Sequence, residues 1–382
     1  MHLTFSQNKI ELVNVDPLTL IQRQPIIHPL YIPTYPLTIP TPTPPTATNH
    51  ATTEPPTPPS TPTLLLGRNP RRRILHLPKH PPLHILLPDP NGQIFTQSWR
   101  PSSPTQPIKA TVFMTHGYGS DSSWCFQKIC IAYAQWGYAV FAADLLGHGR
   151  SDGLQGYIGD MDKAAATSLS YFVSVRKSDE FAKLPAFLFG ESMGGAITML
   201  MYLQSEKDVW SGLIFSSPLF VIPEAMVPSK LHLTMYGLLF GLADTWAAMP
   251  ENRMVAKAIK DFEKLKIIAV NPKRYTGKPR VGTMREVVRV TNYLQNNFQK
   301  VTAPFFVAHG TADGLACHSG SEMLYEKAAT PAEDKTLKLY EGMYHSLIQG
   351  EPDESVAIVL ADMNAWLDEK AQKFGPQSND SC

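Results

Sequence analysis

No apolar run in this sequence reaches the ~18 residues a membrane-spanning helix requires. The most apolar stretch, LHLTMYGLLFGLADTWAAMP, is interrupted by His232 and Asp244. Cysteine is scarce. Cys125, Cys130, Cys317 and Cys382 have neither the density of a disulfide framework nor a CxxC metal spacing, so they read as free thiols of a reducing, cytoplasmic compartment. Charge is nearly balanced, 34 basic against 33 acidic side chains for a net +1, which leaves no electrostatic footprint for nucleic acid. No His/Cys/Asp/Glu cluster has metal-ligand spacing and no glycine-rich loop suits a phosphate, so neither a metal nor a cofactor is expected. The first 90 residues contain only two serines and no amphipathic arginine-rich helix, which argues against an organelle transit peptide despite Arg71, Arg72 and Arg73.

Proline is what that segment has in abundance. Runs such as PTPTPPTATNHATTEPPTPPSTPT lack apolar periodicity and cannot offset their ordering entropy, so residues 1–88 read as a disordered leader. The pattern then becomes regular. The segments KATVFMTHG, YAVFAADLLGHG, LPAFLFG, SGLIFSSP, APFFVAHG and TLKLYEG read as strands. Helical stretches lie between several of them, and a last helix starts near Pro352 with one face of Val356, Val359, Leu360, Met363, Trp366 and Leu367. Strands alternating with helices imply an α/β fold, a mostly parallel sheet flanked by helices on both sides. The gap between SGLIFSSP and APFFVAHG is too long for a bare connection. We therefore expect a core in two parts, 89–217 and 301–375, with an inserted helical cap at 218–300.

Two stretches match Gly-x-Ser-x-Gly: GESMG around Ser192 and GRSDG around Ser151. The pattern alone is weak, and context separates them. Ser192 sits between the strand AFLFG and the helical GGAITMLMYL, a tight turn whose glycines relieve crowding and whose helix N-terminus favours negative charge. Ser151 is followed by Gly153, Gly156 and Gly159, so it reads as a loop residue. A serine nucleophile needs a base, and the base an orienting acid, which follow in that chain order at later strand ends. Asp313 in HGTADG fits the acid, and His345, which follows one further strand, fits the base. His318 is only five positions beyond Asp313 and reads as a loop or pocket-wall residue. The backbone N–H groups of Met193 and Tyr118 are placed for an oxyanion. His116, His148 and Glu191 read as structural.

HGYGSDSSW, DLLGHGRSDG, GESMGG, HGTADG and MYHSLIQGEPDE together resemble the plant monoacylglycerol lipase-like α/β-hydrolases. YGLLFGLADTWAAMP and NPKRYTGKPRVGTMREV resemble, within that family, the branch that acts on caffeoyl shikimate. The resemblance implies an α/β-hydrolase with a mobile cap and a triad of Ser192, Asp313 and His345. It also implies a small-molecule ester substrate: caffeoyl shikimate on the lignin route, or, as the alternative, monoacylglycerols and lysophospholipids. A hydrolase-fold receptor that binds without turnover is the rival from another class. Met226, Met235, Tyr236, Leu238, Leu239 and Phe240 of the cap are expected to line an apolar entrance, which allows peripheral membrane contact. Two loops depart from the family pattern. Gln155 and Gly156 replace an expected Arg-Cys pair, and His318 an expected proline. The missing charge at Gln155 is expected to weaken recognition of a substrate carboxylate.

Overall fold

The computed structural model describes residues 83–89, 92–103, 105–224, 243–247 and 257–376. Five short apolar segments become strands in which every residue is buried: β3 (Thr111–Thr115), β4 (Ala139–Ala143), β5 (Ala186–Glu191), β6 (Gly212–Ser216) and β7 (Phe305–Gly310). Burial on both faces follows from the two-residue period of a strand. Val112, Met114, Phe187, Phe189, Ile214 and Phe306 point to one face, where α1 (Phe126–Gln135) and α7 (Asp353–Phe374) cover them. Phe113, Leu188, Leu213, Phe215 and Val307 point to the other, under α2 (Met161–Arg176), α3 (Met193–Gln204) and, following α4 (Phe262–Ala269) in the chain, α5 (Val281–Gln295). With β1 (Leu83–Asp89), β2 (Gly92–Trp99) and β8 (Lys335–Tyr340), the described residues form a sheet of eight strands in the order β1-β2-β4-β3-β5-β6-β7-β8. Among these described strands only β2 runs against the others.

The order reverses at β3, which has β4 on one side and β5 on the other. Chain connections leave such a point in opposite directions, opening a crevice at the carboxyl ends of the strands. The segments Gly117–Tyr118 and Ser192–Met193 emerge there. The C-terminal helix follows the expected pattern: Pro352 caps it, and Val356, Val359, Leu360, Met363, Trp366 and Leu367 are all buried. No described helix is long and apolar enough to cross a membrane.

Two features depart from the sequence reading. A boundary at residue 88 cuts through β1, whose seven residues pair in register from Leu83↔Ser98 to Asp89↔Gly92. β2 escaped notice because it interleaves polar side chains, yet Thr96 and Gln97 are buried and hydrogen-bonded, Thr96 Oγ1 donating to Ile85 O at 3.0 Å and Gln97 Nε2 to Ser122 Oγ at 2.7 Å. Pro88 is tolerated because β1 is an edge strand. The interval 218–300 is also not all cap, since α5 packs Val287, Val290 and Leu294 into the core. Met226, Met235, Tyr236, Leu238, Leu239 and Phe240 lie outside the described residues.

A chain beginning at Asn91 is expected to melt measurably below one beginning at Leu83. Removing β1 strips the outer hydrogen-bond ladder from β2, whose Ile94, Phe95 and Trp99 are buried. Differential scanning calorimetry of the two chains checks this, and equal midpoints would count against a structural role for β1.

Candidate active site

Ser192 ends β5 and opens α3 with φ +58°, a left-handed conformation that costs a non-glycine residue ~1–3 kcal/mol. The surroundings hold it there. Its N–H donates to Ser216 O at 3.0 Å, and its carbonyl accepts from Gly195 N and Leu219 N, each at 2.9 Å. Gly194 is obligatory behind it: a Cβ would lie 2.4 Å from the carbonyl oxygens of Thr115 and His116. The hydroxyl is thereby lifted off the sheet toward the crevice. Ser151 is differently employed. It is buried, donates to Asp144 O at 2.6 Å and accepts from Phe95 N at 2.9 Å, joining the loop after β4 to β2.

Three strand ends converge on Ser192. His345, beyond β8, places Nε2 2.7 Å from Ser192 Oγ, and its Nδ1 lies 2.7 Å from Oδ2 of Asp313, beyond β7. Asp313 Oδ1 accepts from the backbone N–H of Leu315 at 2.7 Å and Ala316 at 3.0 Å, which fixes the carboxylate plane. Burial alone raises the Asp313 pKa. The neighbouring His345 and His309 outweigh it and hold the carboxyl well below the usual range. Burial alone lowers the His345 pKa, but the Asp313 charge and hydrogen bond, with help from Glu191, leave it above the ordinary histidine value.

His309 was not singled out from the sequence. Its Nε2 lies 3.1 Å from Asp313 Oδ2, the same oxygen that His345 contacts, and its Nδ1 lies 2.7 Å from Ser321 Oγ, so it braces the acid. A signal existed: MTHG and VAHG both end a strand with His-Gly. In the first, His116 Nε2 accepts from Leu145 N at 3.0 Å, which leaves that ring nitrogen engaged in holding a loop. His148 is kept neutral, its pKa lowered to about 3 by burial and by His116. His318 is half exposed at the start of α6 (Ser319–Lys327), 3.4 Å from Glu322, and is not part of the cavity wall.

The crevice is a cavity of about 640 Å³ lined by both Ser192 and His345. Gly117 borders it so closely that a Cβ would come within 3.1 Å of Ser192 Cβ. The N–H groups of Tyr118 and Met193 flank this contact, and neither has an acceptor among the described residues. Trp124, Ile259, Leu265, Ile268 and Leu315 form an apolar wall. Cys125 also borders the cavity, but burial raises its pKa, so it is a poor nucleophile. Glu191 is buried beside Ser192 and accepts from Gln349, and burial pushes its pKa up to about 7.

The family model Hydrolase_4, described as serine aminopeptidase S33, matches residues 106–353. The chain belongs to this α/β-hydrolase family. The hydrolase is 68% identical over 289 residues to caffeoylshikimate esterase of Arabidopsis thaliana, covering 76% of this chain and 86% of that protein. Human monoglyceride lipase is 28% identical, over 81% of this chain and 98% of its own. A soluble variant of monoglyceride lipase from Saccharomyces cerevisiae, solved with a substrate analogue, shares the fold with a TM-score of 0.62 at 21% identity, over 77% of this chain and 98% of that one. The family resemblance read from the motifs is therefore correct.

The departures at 155 and 156 now have a place in the hydrolase. Gln155 is exposed and absent from the cavity wall; its carbonyl accepts from Arg280 Nε at 2.8 Å. The expected link between this position and substrate charge loses its basis. Gly156 has φ +72°, and a Cβ would meet the Tyr275 ring at 2.4 Å, so a cysteine would require that ring to move. We expect Gln155→Arg to change kcat/KM by less than about twofold on charged and neutral esters alike, as for exposed surface changes. A gain confined to a carboxylate-bearing ester would restore position 155 to the pocket.

Proposed function

We propose that the hydrolase is a serine carboxylesterase that cleaves caffeoyl shikimate to caffeate and shikimate. Ser192 Oγ attacks the ester carbonyl while His345 Nε2 takes its proton, and Asp313 holds the imidazolium in place. The N–H groups of Met193 and Tyr118 receive the developing oxyanion. Collapse of the tetrahedral intermediate breaks the ester bond, and shikimate leaves with the proton from His345. Water, deprotonated by the same histidine, then attacks the caffeoyl-enzyme, releasing caffeate and regenerating Ser192.

The observation that carries the substrate is the 68% identity to the Arabidopsis caffeoylshikimate esterase, set against 28% to the human monoglyceride lipase. A wall that combines apolar side chains with Asn271, Arg274 and Gln349 also suits a planar phenolic acid joined to a polar ring better than a long acyl tail alone. Steady-state kinetics on caffeoyl shikimate and on a monoacylglycerol test the reading. We expect kcat/KM at least tenfold higher for caffeoyl shikimate, because a site with polar partners discriminates strongly while apolar pockets separate chains weakly. The reverse order would favour the lipase. Absence of a burst from a chromogenic ester would favour a non-catalytic receptor.

A further inference from the structure

The geometry points to Arg274 as a subsite for a carboxylate carried by the ester substrate. Arg274 lines the same cavity as Ser192 and His345. Among the described residues it takes part in no ion pair; the other arginines and lysines that reach into acidic neighbours, such as Arg285 with Asp244 and Arg289 with Glu286, do so elsewhere. Glu191 is the one carboxyl on the described wall, and it is turned to Gln349 instead. Burial pulls the Arg274 pKa below its ordinary value, the mark of a cation already stripped of part of its water. A partly desolvated guanidinium without an anion is unfavourable, and its planar fork matches a carboxylate in two parallel hydrogen bonds. The cavity thus presents a cation whose partner is missing from the described protein.

The backbone that carries it is fixed to the catalytic loops. Asn271 Nδ2 donates to Asp121 Oδ2 at 2.7 Å, and Arg274 N donates to Asn271 O at 3.2 Å. Tyr275 N donates to Gly119 O at 2.9 Å, next to the Tyr118 amide, and the Tyr275 and Tyr118 rings meet edge to face at 6.1 Å. The Arg280 guanidinium lies over the Tyr275 ring, 5.5 Å from its centroid. Arg274 is therefore held at a set position relative to the oxyanion loop, as orientation of one end of a substrate demands. Lys278 also borders the cavity but is exposed, where solvent weakens its pull on an anion.

The subsite deepens the proposed function, since shikimate carries one carboxylate and a monoacylglycerol carries none. Two measurements separate the two readings. The first is the ratio of kcat/KM for caffeoyl shikimate to that for its methyl ester, in the wild type, Arg274→Gln, Arg274→Lys and Lys278→Gln. Loss of a charge-assisted bond should lower this ratio about 10- to 150-fold in Arg274→Gln, with partial retention in Arg274→Lys. A purely structural arginine would depress both esters and leave the ratio unmoved, which overturns the subsite. So does a collapse in Lys278→Gln but not in Arg274→Gln. The second measurement is inhibition of 4-nitrophenyl acetate hydrolysis by shikimate and by methyl shikimate. Tighter inhibition by the acid that disappears in Arg274→Gln supports the subsite even if caffeoyl shikimate proves not to be turned over. Turnover of caffeoyl shikimate with equal inhibition by acid and ester leaves the function standing and removes the subsite.

Discussion

Ser192→Ala is expected to lower kcat by a factor on the order of 10⁶, since nucleophile, base and acid act as a unit. Oxyanion donors and binding alone leave a residual ~10³–10⁴ over water. The contrast that gives this number meaning is Ser151→Ala, the other serine in the same five-residue pattern. Its hydroxyl is buried in two hydrogen bonds, to Asp144 O and from Phe95 N, and it is no part of the cavity wall. Removing those bonds should cost about 1–3 kcal/mol of stability, with kcat nearly unchanged. Turnover of a chromogenic ester and urea unfolding, measured on both variants, separate the effects. Loss of turnover in a folded Ser151→Ala protein would sink the assignment of the nucleophile.

The second large effect belongs to the acid and base. His345→Ala should abolish turnover to a similar degree, and Asp313→Asn should lower kcat by about 10⁴, because the amide no longer enforces the tautomer that presents Nε2 to Ser192. The pH dependence carries a sign. His345 must be neutral to accept the proton, so kcat/KM rises with pH through its pKa. Asp313 and Glu191 raise that pKa against the opposing effect of burial, so the midpoint should lie above the ordinary histidine value of 6.5. In Asp313→Asn the midpoint should fall. Glu191, with its pKa near 7, ionises in the same window and adds to the rise in His345; Glu191→Gln should shift the limb to lower pH. A His318→Ala protein should keep the wild-type limb. A limb that vanished there and persisted in His345→Ala would overturn the choice of base.

The local sequence determined a good deal. Apolar runs beside glycine located β3 to β7, because strands buried on both faces admit little else. The strand–turn–helix context singled out Ser192, and strand-end spacing singled out Asp313 and His345, which the fold brings to 2.7 Å contacts. These are features written in consecutive residues, and short-range periodicity and glycine placement report them directly.

Tertiary structure alone decided the rest. β1 and β2 pair at the sheet edge through backbone bonds that any side chain can accompany, so their mixed sequence gave no periodic signal. His309 braces Asp313 only because Ser321 and Ala316 close around its ring. Gln155 looked like the charge-sensing position from the motif, yet the chain turns it to solvent and brings Arg274, more than a hundred residues later, onto the cavity wall instead. Whether a polar side chain faces a substrate depends on which distant segments pack around it, and that packing is set by the whole sheet and its covering helices rather than by neighbours in sequence.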